Sequence, residues 1–269
     1  MSAGAVEMVT SLHDVLDALT VPYAVPCIEE WISEGQLYRS DAVPFLTGID
    51  VDPVTGVQTR IVRFGAVPTP TAVRAMLGWA GADGTEEMLS VEVPGAADLL
   101  HMPCSQIYVE RAPDDYAGAD VRRSALADAP AWVVASLETS LRNGAAARGL
   151  VFEEPALAGY LACLLDDPDC FACYSPSDAL AAVLLLVEDD WDGCERLELF
   201  DLVGADTRQA EPLLASAARL VGVDRVRGTV TMGSDTRGPK VWAALRGRGW
   251  RRIGCQVIAK RHEFEEMAN

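Results

Sequence analysis

Basic residues are scarce in this chain. Of 269 residues, 22 are Lys or Arg against 40 Asp or Glu, leaving a formal net charge of −18 with the three histidines neutral. A field of that sign repels a phosphate backbone, and no compact Lys/Arg stripe offsets it, so nucleic-acid binding is excluded. The same field favours a cationic small molecule such as an amine, beside its ordinary role in solubility. Long apolar runs are also missing. The longest, Ala179 to Val187, is about half of what a bilayer crossing needs, which excludes a membrane protein of the helical kind. Met1 to Asp14 has neither the basic start nor the apolar stretch of a secretory signal. His13, His101 and His262 are scattered and none has a Ser or Cys partner suggested by the sequence, so no triad is assigned.

Cysteine is present without a frame. Seven residues (27, 104, 163, 170, 173, 194 and 255) are an odd number with no repeating spacing, which fits reduced thiols in a cytoplasm better than a disulfide scaffold. Cys170 and Cys173 form a C-x-x-C, but no second pair or His cluster completes a zinc site, and in a strand the two point to opposite faces. No metal is expected. What the chain has is apolar substance: half of it is hydrophobic and 23% is charged, enough to bury one large core or two smaller ones and too apolar for an acidic disordered chain.

The later part of the chain is the more legible. Asp128-Ala129-Pro130 opens a helix, since Asp caps and Pro suits a first turn, and Trp132, Leu137 and Leu141 keep its period until Asn143-Gly144 interrupts it. A second helix spans Pro155 to Leu165, stopped by Asp166-Asp167-Pro168. Phe171 to Tyr174 is a short strand. Ala179 to Val187 reads as a buried strand, a helix being the alternative for so apolar a run. Trp191-Asp192-Gly193 is a turn, and the strand Arg196 to Val203 follows. A helix from Thr207 to Leu220, a strand from Val226 to Met232, a helix from Gly238-Pro239 to about Leu245 and a strand from Ile253 to Ala259 complete the order ααβββαβαβ.

The first part repeats some of this. Val43 to Val51 and Val57 to Val67 are strands about an Asp52-Pro53-Val54-Thr55-Gly56 turn, Pro68 to Ala80 is a helix, and Met88 to Val93 and Gln106 to Val109 are strands. Phe64 matches Phe200, Val67 matches Val203 and Thr71 matches Thr207 at a constant offset of 136. Residue identity is low, so the repeat rests on order and spacing; duplication is preferred to chance likeness of two strand–helix–strand units. Ala112 to Asp120, small, polar and acidic, is then a linker.

This order resembles the GNAT acyltransferase superfamily, and its tandem members in particular. Ala129 to Arg261 carries the resemblance well and Val43 to Arg111 more loosely. Its most family-like segment is Ser234 to Trp250, similar to the family's Asn-x-x-Ala-x-x-Leu-Tyr-x-x-x-Gly-Phe ending, with Gly249-Trp250 in the Gly-Phe place. The resemblance implies an α+β chain of tandem GNAT-like folds, each a mixed, mostly antiparallel sheet flanked by helices. Residues 1–111 would be a degenerate N-terminal domain, 112–128 a linker and 129–269 the acyltransferase domain.

It further implies an N-acyltransferase that moves an acetyl or related group from acetyl-CoA or another acyl-CoA to a small-molecule amine. In that fold the fourth strand splays from its neighbour and exposes backbone groups to the pantetheine arm, and the next helix aims its N-terminal amides at the pyrophosphate. Leu202 and Val203 would border the arm, and Arg208, Gln209 and Ala210 would face the phosphates, with Ser234 and Trp242 also on the cofactor. Trp242 equally suits core packing beside Leu245. The family's loop is Arg/Gln-x-x-Gly-x-Gly/Ala. Here Arg208 stands at a glycine position and Asp206 lies inside the loop, where it either caps the helix or opposes a phosphate. The first part offers Pro68-Thr69-Pro70-Thr71, and proline has no amide hydrogen to give.

For catalysis, Glu198 and Asp201 lie beside the expected acyl site, on opposite faces by strand period, and either can take a proton from the amine. Leu245 stands where many family members carry a tyrosine that protonates the departing thiolate. Those departures motivate the alternative: a non-catalytic GNAT-like protein that binds a ligand or partner.

Overall fold

Alternation of branched apolar residues with polar ones, interrupted by amphipathic helical stretches, gives a chain of strands and helices in nearly equal measure. A computed structural model describes residues 5–18, 25–53, 55–83, 88–95, 104–111, 121–147, 151, 153–175, 180–188, 195–204, 210–222, 226–232, 237–247 and 249–268. The elements in chain order are β1 (Val6–Met8), α1 (Val25–Ser33), β2 (Leu37–Ser40), β3 (Val43–Val51), β4 (Gln58–Phe64), α2 (Pro70–Asp83), β5 (Met88–Pro94) and β6 (Gln106–Arg111). They continue with β7 (Arg122–Ala125), α3 (Ala131–Ala147), α4 (Glu154–Asp166), β8 (Cys170–Ser175), β9 (Leu180–Glu188), β10 (Glu195–Gly204), α5 (Ala210–Val221), β11 (Val226–Thr231), α6 (Arg237–Arg246), β12 (Arg251–Lys260) and α7 (Arg261–Ala268). No helix among the described residues is long and apolar enough to cross a membrane.

These strands form one mixed, mostly antiparallel sheet in the order β1-β2-β3-β4-β5-β12-β6-β11-β10-β9-β8-β7. Two neighbouring pairs are parallel, β4 with β5 and β10 with β11, each joined through a helix. Both have the same register, partners lying 29 residues apart (Thr59 with Met88, Leu197 with Val226). The middle of the sheet is an exchange. β12, last in the chain, pairs with β5, while β6 pairs with β11 as well as with β12. The two stretches of chain therefore close each other's sheets.

One face buries the main core: Phe45, Val62, Phe64, Val91, Ile107, Val109, Leu184, Leu197, Val226, Cys255 and Val257 meet α2, α5 and Phe264 of α7. The other face is covered only at its flanks. Val133, Leu137 and Leu164 from α3 and α4 pack on Cys170, Ala172, Ala181 and Val183. Ile28 of α1 packs on Leu37 with Val9 and Val15. Cys170 and Cys173 fall into different clusters, as a strand requires. Burial pushes the first thiol up to about 11 and the second to about 12, so neither is a thiolate at neutral pH.

Several expectations change. α3 runs through Asn143-Gly144 to Ala147. Arg142, held by Glu138 one turn back and by Glu154 of α4, ties down this last stretch and offsets the glycine's unfavourable backbone entropy. β4 ends at Phe64, short of Val67. The helices also do not keep the offset of 136. Their buried positions correspond as Ala72 with Leu213, Val73 with Leu214, Met76 with Ala217 and Leu77 with Ala218, each 141 apart. The connections into the two helices are equally long, 65–69 and 205–209, and β10 runs further than β4 before its helix begins. The turn at 191–193, the small acidic stretch 112–120 and positions 207–209 lie outside the described residues. β1, α1, β2, β7 and α7 were not anticipated. Each is short, and α7 has one fully buried side chain, Phe264, among charged neighbours.

Candidate functional site

β10 opens the sheet. Leu199 pairs with Leu184 of β9 and Asp201 with Val183, so Phe200 is an extra residue, a β-bulge. Pairing with β9 then continues to Gly204, whereas pairing with β11 stops at Leu199 opposite Gly228, although β11 runs on to Thr231. From Phe200 to Gly204 the strand has no ladder partner on β11. Leu202 and Val203 lie in this stretch, in register on the β9 side with Ala182 and Ala181.

The bulge also corrects the strand parity. Glu198 pairs with Leu185 and Asp201 with Val183, two residues apart on β9, so both positions fall on one face rather than on opposite ones. It is the face that α3 and α4 cover at its flank, opposite the main core. Glu198 is half-buried, with Arg227 of β11 as its other register partner, and it makes no hydrogen bond or ion pair among the described residues.

Beyond β11 the same face carries a polar floor. Glu92 of β5 is 9% exposed and accepts from Arg63 Nε at 2.5 Å, Tyr108 Oη–H at 3.0 Å and Gln256 Nε2 at 3.2 Å. Gln256 also donates to Ser90 Oγ at 2.8 Å. The Tyr108 ring needs Gly254 beside it: a Cβ there would stand 3.3 Å from Tyr108 Cδ2 and 3.1 Å from the Val93 carbonyl oxygen. A second bulge, between Arg252 and Gly254 of β12, brings that glycine opposite Tyr108. Burial raises the Tyr108 phenol well above its ordinary range, followed by the charge of Glu92 and the hydrogen bond to it; Arg63 opposes, and Glu198 adds a smaller push. The phenol therefore stays protonated at neutral pH.

Next to it runs a row of alternating charge across four strands. Glu198 of β10 is the register partner of Arg227 of β11, which partners Glu110 of β6, which partners Arg251 of β12. Glu110, with 3% of its side chain exposed, accepts from Arg251 Nη2 at 2.7 Å and Arg227 Nε at 3.4 Å. The two buried carboxylates described on this face, Glu92 and Glu110, are thus neutralised by arginines, and Glu198 is a further carboxylate there, open to a cation or a proton.

The remaining sequence candidates are more dispersed. Trp242 and Leu245 of α6 pack, partly buried, against the main core. Ala210 begins α5. Arg208, Gln209 and Ser234 lie outside the described residues. Sequence reading missed Ser90, Glu92, Tyr108, Glu110, Arg227 and Gln256. The alternation Ser90-Val91-Glu92-Val93 and Ile107-Tyr108-Val109-Glu110 marks polar positions on strands with one buried face, but nothing local reveals that β6 and β12 are exchanged.

No family model matches the chain, and no curated protein matches it either. Solved structures do. A GCN5-related N-acetyltransferase from Kribbella flavida is 13% identical over 94% of this chain and 71% of its own, with a TM-score of 0.34. Eis1 from Mycobacterium abscessus is 14% identical over 93% and 72%, at 0.32. A functionally unknown conserved protein from Staphylococcus epidermidis is 12% identical over 80% and 90%, at 0.41. Helices α3 and α4, the β8–β10 meander, the bulged and splayed β10, and the α5-β11-α6-β12 ending follow the order expected from the sequence.

Proposed function

We propose that the chain is an N-acyltransferase that moves an acetyl or related group from an acyl-CoA to the amine of a small, cationic molecule. The reaction is assigned to residues 129–269, with residues 1–111 a degenerate copy and 112–128 the link between them. The observation that carries this reading is the parting of β10 from β11 after a bulge, which leaves the backbone of Phe200 to Gly204 without a ladder partner on the β11 side. An extended amide-containing arm fits such an edge, because it can continue the ladder that β11 abandons. Leu202 and Val203 would line it, and Arg208, Gln209 and Ala210 would meet the phosphates, with Ser234 and Trp242 nearby.

Glu198 is the base in this reading, Asp201 the second candidate on the same face. Glu198 takes a proton from the ammonium, and the freed nitrogen lone pair forms a bond to the thioester carbonyl carbon. The C–S bond breaks, the sulfur leaves with its electron pair, the nitrogen sheds a second proton that ends on the thiolate, and the first passes from Glu198 to solvent. The net acidic charge of −18 gathers a cationic acceptor. Isothermal titration with acetyl-CoA tests the reading; no heat at millimolar ligand removes it.

A second reading is a GNAT-type fold without catalysis that binds a ligand or partner. It is favoured by Leu245, which packs against the main core where a thiolate-protonating tyrosine is expected. Acyl transfer to any member of an amine panel, read by mass spectrometry above background, counts against it.

A further inference from the structure

Glu92 decides which way the hydrogens of its neighbours point. A carboxylate only accepts, so the Tyr108 phenol gives it its one hydrogen, at 3.0 Å, and the Gln256 amide turns its nitrogen to it, at 3.2 Å. The second amide hydrogen of Gln256 goes to Ser90 Oγ at 2.8 Å. Tyr108 and Gln256 then have no side-chain hydrogen left to give. Their oxygens, Tyr108 Oη and Gln256 Oε1, accept nothing among the described residues. Ser90 and Glu92 beneath them are buried, whereas Tyr108 and Gln256 are part-exposed. The pair thus offers lone pairs, and only lone pairs, on the face that α3 and α4 cover at one flank and α1 at the other.

The candidate base lies on the same face. Thr229 of β11, exposed, is the register partner of Tyr108, and Glu198 is on β10, the next strand. β10 and β6 are two strand spacings apart, about 10 Å. The Glu198 charge is among those that the Tyr108 phenol feels. We propose that Tyr108 Oη and Gln256 Oε1 form a second anchoring point for the acceptor, receiving a hydrogen-bond donor at the far end of the amine whose near end meets Glu198. The substrate class is an aliphatic amine with a second ammonium or a hydroxyl group. A carboxylate at that end would face two sets of lone pairs. The inference rests on the acyltransferase reading with Glu198 as base. Its two residues come from the exchanged strands, β6 of the first part and β12 of the second, and are neighbours only through that exchange.

The test uses the full-length chain and its Y108F, Q256M and Y108F/Q256M variants with four amines substituted at both ends of one carbon chain or at one end only: diaminopentane, aminopentanol, pentylamine and aminopentanoate. With acetyl-CoA saturating, kcat/KM for diaminopentane or aminopentanol exceeds that for pentylamine by about tenfold or more, and the leading one tells whether the donor is an ammonium or a hydroxyl. The preference shrinks about fivefold in each single variant and vanishes in the double one. A merely structural loss lowers all four amines together and leaves their ratios in place. A parent that treats the amines alike, a parent that favours aminopentanoate, or a preference unmoved in both single variants overturns the proposal. If none of the four is acylated, the functional reading fails, and isothermal titration of the same amines decides the anchoring point by the same ratios of Kd. Should one variant not fold, the preference of the parent and the other variant decide it.

Discussion

The two parallel strand pairs of this sheet begin alike and end differently. β4 and β5 stay paired over five residues, to Arg63 opposite Glu92, the residue before β4 ends. There an ion pair at 2.5 Å crosses between the strands, and Tyr108 and Gln256 add hydrogen bonds to the same carboxylate. β10 and β11 pair over three residues and then part at a bulge, with five residues of β10 left unpartnered on that side. The first pair is pinned where the second is open. A common register therefore supports both a closed, structural use of the motif and an open one, and one inserted residue makes the difference.

The comparison can be broken most sharply at its two glutamates. E198Q is expected to lower kcat/KM by about 10²- to 10⁴-fold while leaving the urea midpoint in place, because it removes a proton acceptor that bonds nothing else described. E92Q should do the reverse, leaving turnover within a few fold and destabilising by about 3 kcal/mol, since Arg63 and two neutral donors lose their buried anion. Equal loss of activity in both variants would erase the distinction between a closed and an open pair.

A smaller effect is expected at Tyr108. Y108F removes one donor from Glu92 and should cost about 1–2 kcal/mol in chemical unfolding. Its pH dependence sharpens the assignment. The folded phenol titrates above its unfolded value of about 10, so its contribution is full below that pH and is lost as pH rises beyond it. Stability of the parent should fall as pH rises above about 10, and Y108F should fall less steeply, the raised Tyr160, Cys170 and Cys173 groups adding a slope common to both. The smallest effect belongs to G228A, at the last paired position before the gap. A Cβ there meets Leu199 at 3.7 Å and Val109 at 3.8 Å, ordinary contacts, so stability should move by less than about 0.5 kcal/mol.

Much of the later part was legible because its periods are long and clean. Leu213, Leu214 and Ala217 bury a helical stripe as their spacing foretold, whereas Leu220, expected on the same stripe, is 53% exposed and Ala218 is buried; Ala181 to Leu184 form a strand buried on both faces, which is why alternation fails there. The bulge was not legible. A single extra residue leaves no mark in composition, yet it moved Asp201 to the face of Glu198. Nor was the polar floor, since Glu92, Tyr108 and Gln256 are distant in sequence and meet only because β12 enters between β5 and β6.

That entry also sets the order in which the chain can mature. Arg111 at the end of β6 pairs with Val226, 115 residues further on, and β5 waits still longer for β12. During synthesis the first part emerges with one side of β5 and both sides of β6 unpaired, and these long-range closures come late and slowly. A nascent chain stopped near Arg111 displays apolar strand edges ready to pair with any neighbour. The same exchange, once complete, denies either part the option of opening alone.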